Sequence, residues 1–95
     1  MQLLLVGYDG TDPDALDRRM AVREVHFDNV RGLKESGNFI CGGAILDDNK
    51  KMIGSMVVYD FPSREDLDKM LESEPYILGK VWKNIDIKPF MMASI

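Results

Sequence analysis

The chain opens on a short apolar run, QLLLVGY at residues 2–8, which stops at the turn cluster Asp9-Gly10-Thr11-Asp12-Pro13. Apolar runs of this length bounded by turn residues predict a strand. Asp12 before Pro13 marks a helix start, because the carboxylate caps free N–H groups and proline suits the first helical position. Neither glycine nor proline interrupts the chain again before Gly32, and Gly37 is a terminator, so one helix is predicted over residues about 13–36. Residues 38–46 (NFICGGAIL) read as a second strand, with Gly42-Gly43 marking a bulge or a close approach to the backbone. A polar hairpin connection over residues 47–51 leads to a third strand at 52–60. Ser63 followed by Glu65 and Asp66 starts a second helix that runs to about residue 73 and is ended by Pro75. The alternation around Ile85 and Ile87 makes residues 81–91 the fourth strand. The order β-α-β-β-α-β predicts an α+β, ferredoxin-like fold: a four-stranded antiparallel sheet with both helices on one face.

Two helices cover one sheet face only, and the other should then be polar. Instead, both parities of the strands are apolar. Leu3 and Leu5 oppose Leu4, Val6 and Tyr8 in the first strand; Met56 and Val58 oppose Ile53, Val57 and Tyr59 in the third. A second greasy face calls for a cover, and a second copy of the same sheet supplies one, so a homodimer through the sheet face is expected.

At about 100° per residue, Leu16, Met20, Val22, Phe27, Val30 and Leu33 fall within an arc of roughly 160° on the long helix. Arg19, Arg23 and His26 lie inside that arc at i, i+4, i+7, while Asp17, Arg18, Glu24, Asp28 and Glu35 form the outer face. Buried charges are paired or line a cavity. In the second helix Leu67, Met70 and Leu71 define the inward face, and extending it by a turn brings Glu74 to the same side. A carboxylate that orients an imidazole makes a general base near neutral pH, which nominates His26 and Glu74 as a pair.

Composition narrows the classes. Ninety-five residues form one domain, 1–95, and a chain this short hides only about 60–65% of its unfolded surface, so help from a partner subunit fits. Twelve basic against 16 acidic residues give a net charge of −4, unsuited to nucleic acid or an anionic membrane. RNA binding on the sheet would also need an aromatic RNP pattern that is absent. The single cysteine, Cys41, excludes an internal disulfide and reads as core packing. No metal-ligand spacing appears, and Gly7 and Gly10 lack the third glycine of a dinucleotide fingerprint. With neither a signal peptide nor a membrane span in sight, the expected location is cytoplasmic; without a metal or dinucleotide motif, no cofactor is expected.

Several stretches together resemble the YciI-like (YCII-related) family within the dimeric α+β barrel superfamily. They are Arg19-x-x-x-Arg23-x-x-His26, Gly42-Gly43, Gly54-Ser55, Glu74-Pro75-Tyr76 and Ile87-Lys88-Pro89-Phe90, and the resemblance spans essentially the whole chain. It implies an active-site pair formed by a first-helix histidine and the acid of an Asp-Pro-Tyr/Phe segment. Carried over, the pair is His26 and Glu74, with Glu standing where the family has Asp. One class of family member eliminates chloride from a chlorinated hydroxyhydroquinone. The resulting expectation is a cofactor-independent lyase or isomerase acting on a small polar, anionic or aromatic molecule. His26 and Glu74 would be its catalytic residues; Arg19, Arg23, Ser55 and Tyr76 would bind the substrate. The alternative is a non-catalytic small-molecule-binding or accessory module that uses the same pocket.

Overall fold

The computed structural model describes Met1–Ile95. Its elements are β1 (Gln2–Asp9), α1 (Ala15–Glu35), β2 (Phe39–Leu46), β3 (Met52–Asp60), α2 (Arg64–Leu71), α3 (Pro75–Leu78) and β4 (Trp82–Phe90). The four strands form one antiparallel sheet in the order β2-β3-β1-β4. This is the ferredoxin-like arrangement, with β1 and β3 central. In register, Leu5 stands between Val57 and Ile87, and Gly7 between Ser55 and Ile85. Side chains alternate across a strand, so Leu3, Leu5, Val57 and Tyr59 share the helix-covered face. There they pack with Leu67 and Leu71 of α2 and with Tyr76, Val81 and Trp82. Fully burying each such aliphatic side chain contributes about 2 kcal/mol.

Local chemistry sets the element ends. The Ser63 side chain accepts from the Asp66 amide and caps α2. Gly37 closes α1 at φ 84°, a left-handed conformation that glycine adopts without a side-chain clash. The start of α1 departs from expectation: Asp14, not Asp12, is its N-cap, and Pro13 lies outside the helix. The Asp12 carboxylate instead takes both Arg18 amino groups at 2.7 and 3.0 Å. That hydrogen-bonded guanidinium lowers the Asp12 pKa to about 2. Arg18 is therefore no freely solvated outer residue; it ties the loop before α1 to the carbonyl of Lys80 at 3.2 Å.

Two further placements differ. Met20, assigned to the inward arc, is 49% exposed, because the buried line of α1 runs through Ala15, Arg19 and His26 and leaves Met20 about 100° to one side. Cys41 is half-buried rather than in the core, since it pairs with Val58 on edge strand β2 and shares the parity that faces away from the helices.

Candidate functional site

Helix α1 carries Arg19, Arg23 and His26 to the cleft between itself and the β2–β3 half of the sheet. Arg19 and His26 are buried and Arg23 is half-buried. Glu74 arrives by a route the sequence did not show. Helix α2 ends at Leu71, and Glu74 has extended backbone, φ −69° and ψ 120°, as the residue before a proline prefers. Pro75 then opens α3, and the Glu74 carboxylate folds back to cap it, accepting from the Tyr76 amide at 3.1 Å. So Glu74 is the N-cap of a short third helix, not the last inward residue of α2.

The carboxylate is fully buried and fully used. Oε1 meets His26 Nδ1 as well as the Tyr76 amide, and Oε2 accepts from Asn29 Nδ2 at 2.9 Å. The longer Glu side chain thus reaches the imidazole while still capping α3. His26 lies flat on the Tyr76 ring, with centroids 3.7 Å apart and planes 8° from parallel, and Trp82 meets both rings edge-on. These contacts fix the imidazole plane. The only side-chain nitrogen or oxygen sealed from solvent without a partner is Tyr59 Oη. His26 Nε2 also has no partner but is not sealed, and His26 lines the cleft.

The two arginines have different environments. Arg19 pairs with Asp9 through Nε at 2.8 Å and Nη2 at 3.3 Å. Nη2 also reaches Gly54 O at 2.7 Å and Ser55 Oγ at 2.6 Å, while Nη1 approaches Tyr76 Oη at 3.4 Å. Its charge is answered by Asp9 and most of its donors are occupied, so Arg19 builds the wall. Arg23 has no acidic partner; its guanidinium rests over the Phe27 ring at 4.5 Å. It is the cleft cation without an acidic partner. Burial raises the Tyr76 phenol above its usual pKa, against the opposing pull of Arg19 and Arg23, so Tyr76 stays protonated near neutral pH.

Around these groups lies a cleft of about 240 Å³, lined by Arg19, Arg23, His26, Ser55 and Tyr76 with an apolar wall that includes Phe27 and Phe39. All four expected binding residues and His26 therefore line one cleft, with Glu74 directly behind the histidine. Two participants escaped the sequence reading. Asp9 was read as the first residue of a turn, although it has the same parity as Leu3 and Leu5. Asn29 is three residues beyond His26 on the same helix stripe, but an amide carries no charge signal.

The YCII-related domain family matches residues 1–91, and the chain belongs to it. Protein YciI of Escherichia coli O6:H1 is 28% identical over 94 residues, covering 93% of this chain and 96% of that protein. Among solved structures, the chain is similar to 5-chloro-2-hydroxyhydroquinone dehydrochlorinase of Burkholderia phenoliruptrix AC1100 in complex with 2,5-dihydroxybenzoquinone. The TM-score is 0.83 at 20% identity, covering 98% of this chain and 96% of that one. A dimeric ferredoxin-like protein from an uncultured marine organism superposes with a TM-score of 0.54 at 14% identity, covering 97% and 92% of the two chains. These structural likenesses support the ferredoxin-like fold.

Proposed function

We propose that this member of the YCII-related family is a small lyase or isomerase that moves a proton on a polar or aromatic organic molecule, working as a homodimer. The observation that carries the reading is His26. Its Nδ1 is committed to a buried carboxylate, its plane is clamped on Tyr76, and its Nε2 opens into a cleft beside an unpaired guanidinium.

The geometry supports the following roles. Nε2 takes a proton from substrate carbon or oxygen; Glu74 holds the ring and stabilises the imidazolium that forms. Arg23 and the hydroxyls of Ser55 and Tyr76 receive the oxygen on which negative charge develops. Arg19 supports those hydroxyls from behind. In an isomerisation the proton returns from Nε2 to a different atom. In an elimination the released C–H electron pair forms the new double bond as the neighbouring carbon loses its leaving group as an anion. Neither route requires an external oxidant or reductant. The dehydrochlorinase named above acts on a substrate of the kind that such a cleft suits, and it motivates the first assay.

The test is turnover of chlorinated hydroxyhydroquinones and related aromatic diols, followed by chloride release and by ultraviolet absorption. Native protein should turn over at least one member, and His26→Gln should lower its kcat by about a hundredfold or more, the usual contribution of a positioned general base. Binding of the panel without turnover would make the chain a binding module; turnover that survives His26→Gln would remove the histidine from the chemistry.

A further inference from the structure

Trp82 is the chain's sole tryptophan and does not line the cleft, yet its indole points at a residue that does. Trp82 Nε1 donates to Ser55 Oγ at 3.1 Å, and Arg19 Nη2 donates to the same oxygen at 2.6 Å. A serine hydroxyl has two lone pairs and one proton. Indole and guanidinium are donors only and cannot accept that proton. With both lone pairs engaged from behind, the hydroxyl proton remains, and no protein acceptor takes it. Ser55 is 4% exposed and lines the cleft.

The indole is held for this task by the strand beneath it. Gly7 is the ladder partner of Ser55, and a Cβ there would come within 2.7–2.9 Å of the Trp82 ring. Any larger residue at position 7 would lift the indole. The register shift between Tyr8 and Asp9 sets Asp9 opposite Trp82, so the acid that fixes Arg19 and the ring that fixes Ser55 share one irregular step of the β1–β4 pair.

Building on the cleft reading above, we infer that Trp82 is a positioning residue that, with Arg19, holds the Ser55 hydroxyl as an obligate hydrogen-bond donor. The cleft therefore selects ligands that present an acceptor-only oxygen at this point: a carboxylate, an enolate or phenolate, or a quinone-type carbonyl. A ligand offering an ammonium there meets donor against donor, with a free guanidinium nearby.

The test reads affinity alone, with benzoate and benzylammonium as probes of equal ring size. Benzoate should bind the native chain, measurably tighter than benzylammonium. Ser55→Ala should weaken benzoate about tenfold, as expected on losing a hydrogen bond to a charged group. The single tryptophan allows its biosynthetic replacement by a benzothienyl analogue, in which sulfur stands in place of the indole N–H and the ring shape is kept; Trp82→Phe is the second variant. Both should weaken benzoate severalfold in the parent, and the analogue, which keeps the edge contacts to His26 and Tyr76, should add nothing in the Ser55→Ala background, because the indole N–H acts through Ser55. Analogue and Ser55→Ala losses that add when combined, an analogue that binds benzoate like the native chain, or benzoate bound no tighter than benzylammonium would each overturn the inference. A chain that shows the non-additive cycle and turns over nothing would refute the acid–base reading and leave this one standing.

Discussion

Tyr59 and Glu74 are both fully buried polar side chains, and they show opposite solutions to the same problem. Glu74 has three donors for its two oxygens, whereas Tyr59 Oη has no partner at all. A buried hydroxyl without a hydrogen bond has lost its hydration and gained nothing in return. Burial, reinforced by the nearby Glu74 charge, pushes the Tyr59 phenol well above its usual value of 10.0. The folded state therefore keeps the proton at a pH where the unfolded chain has released it, and stability falls as pH rises past the unfolded value. Below that value both states are protonated and the titration contributes nothing. Tyr59→Phe should leave neutral-pH stability unchanged or raise it by about 1 kcal/mol. It should also flatten the alkaline decline, with the remainder of the slope due in part to Tyr76, whose phenol is raised too. Urea midpoints at about pH 7, about pH 9 and about pH 11 check this. A variant that is less stable at neutral pH and has an unchanged alkaline limb would contradict it.

At the scale of elements, α1 was legible in the sequence and α3 was not, for reasons of length. Twenty-one residues give α1 enough turns for Arg19, Arg23 and His26 to declare one stripe. A four-residue helix has no period to read, and Pro75 conceals it by looking only like a terminator. Yet α3 decides where the acid goes, since Glu74 is its cap and proline holds Glu74 extended. The sequence brought Glu74 to the right side of the sheet by extrapolating α2 over a turn that α2 does not make. Long-range contacts were beyond pattern reading in the same way: nothing in the spacing of Gly7, Ser55 and Trp82 shows that the ladder brings them together. Pro75→Ala tests the role of α3. Losing the restraint on the unfolded chain should lower stability by about 0.5–1 kcal/mol. With Glu74 free to leave extended backbone, the His26 Nδ1–H proton should exchange faster with water. His26 is the sole histidine, so its imidazole N–H resonance in proton NMR is unambiguous. An equally sharp, equally protected resonance in the variant would show that proline does not hold the acid in place.

Across the whole molecule, the sheet has one face closed by helices and one whose polarity divides between its two halves. Alternation puts Leu4, Val6 and Tyr8 of β1, Met56 and Val58 of β3 and Ile45 of β2 on the face away from the helices. Opposite Leu4 and Val6, β4 contributes Lys88 and Asp86, which pair at 3.4 Å and are well exposed. The apolar part thus centres on β1, β3 and β2, and the β4 edge forms a charged rim. No helix of the chain is long and apolar enough to cross a membrane, and a second sheet laid over the apolar half would dry it as a protein core is dried. That arrangement localises the expected damage. Met56→Lys puts a charge at the centre of the apolar half, on the strand that also supplies Ser55 and Val57 to the other face, and on the homodimer proposed above should convert a two-chain species to one chain in sedimentation equilibrium. Lys88→Ala alters only the rim, where an exposed ion pair contributes about 0–1 kcal/mol, and should leave the assembly intact. If Met56→Lys sediments like the native chain while Lys88→Ala dissociates it, the seam runs along the β4 edge. If native protein is a single chain at all concentrations, the apolar half of the sheet is not a seam between copies.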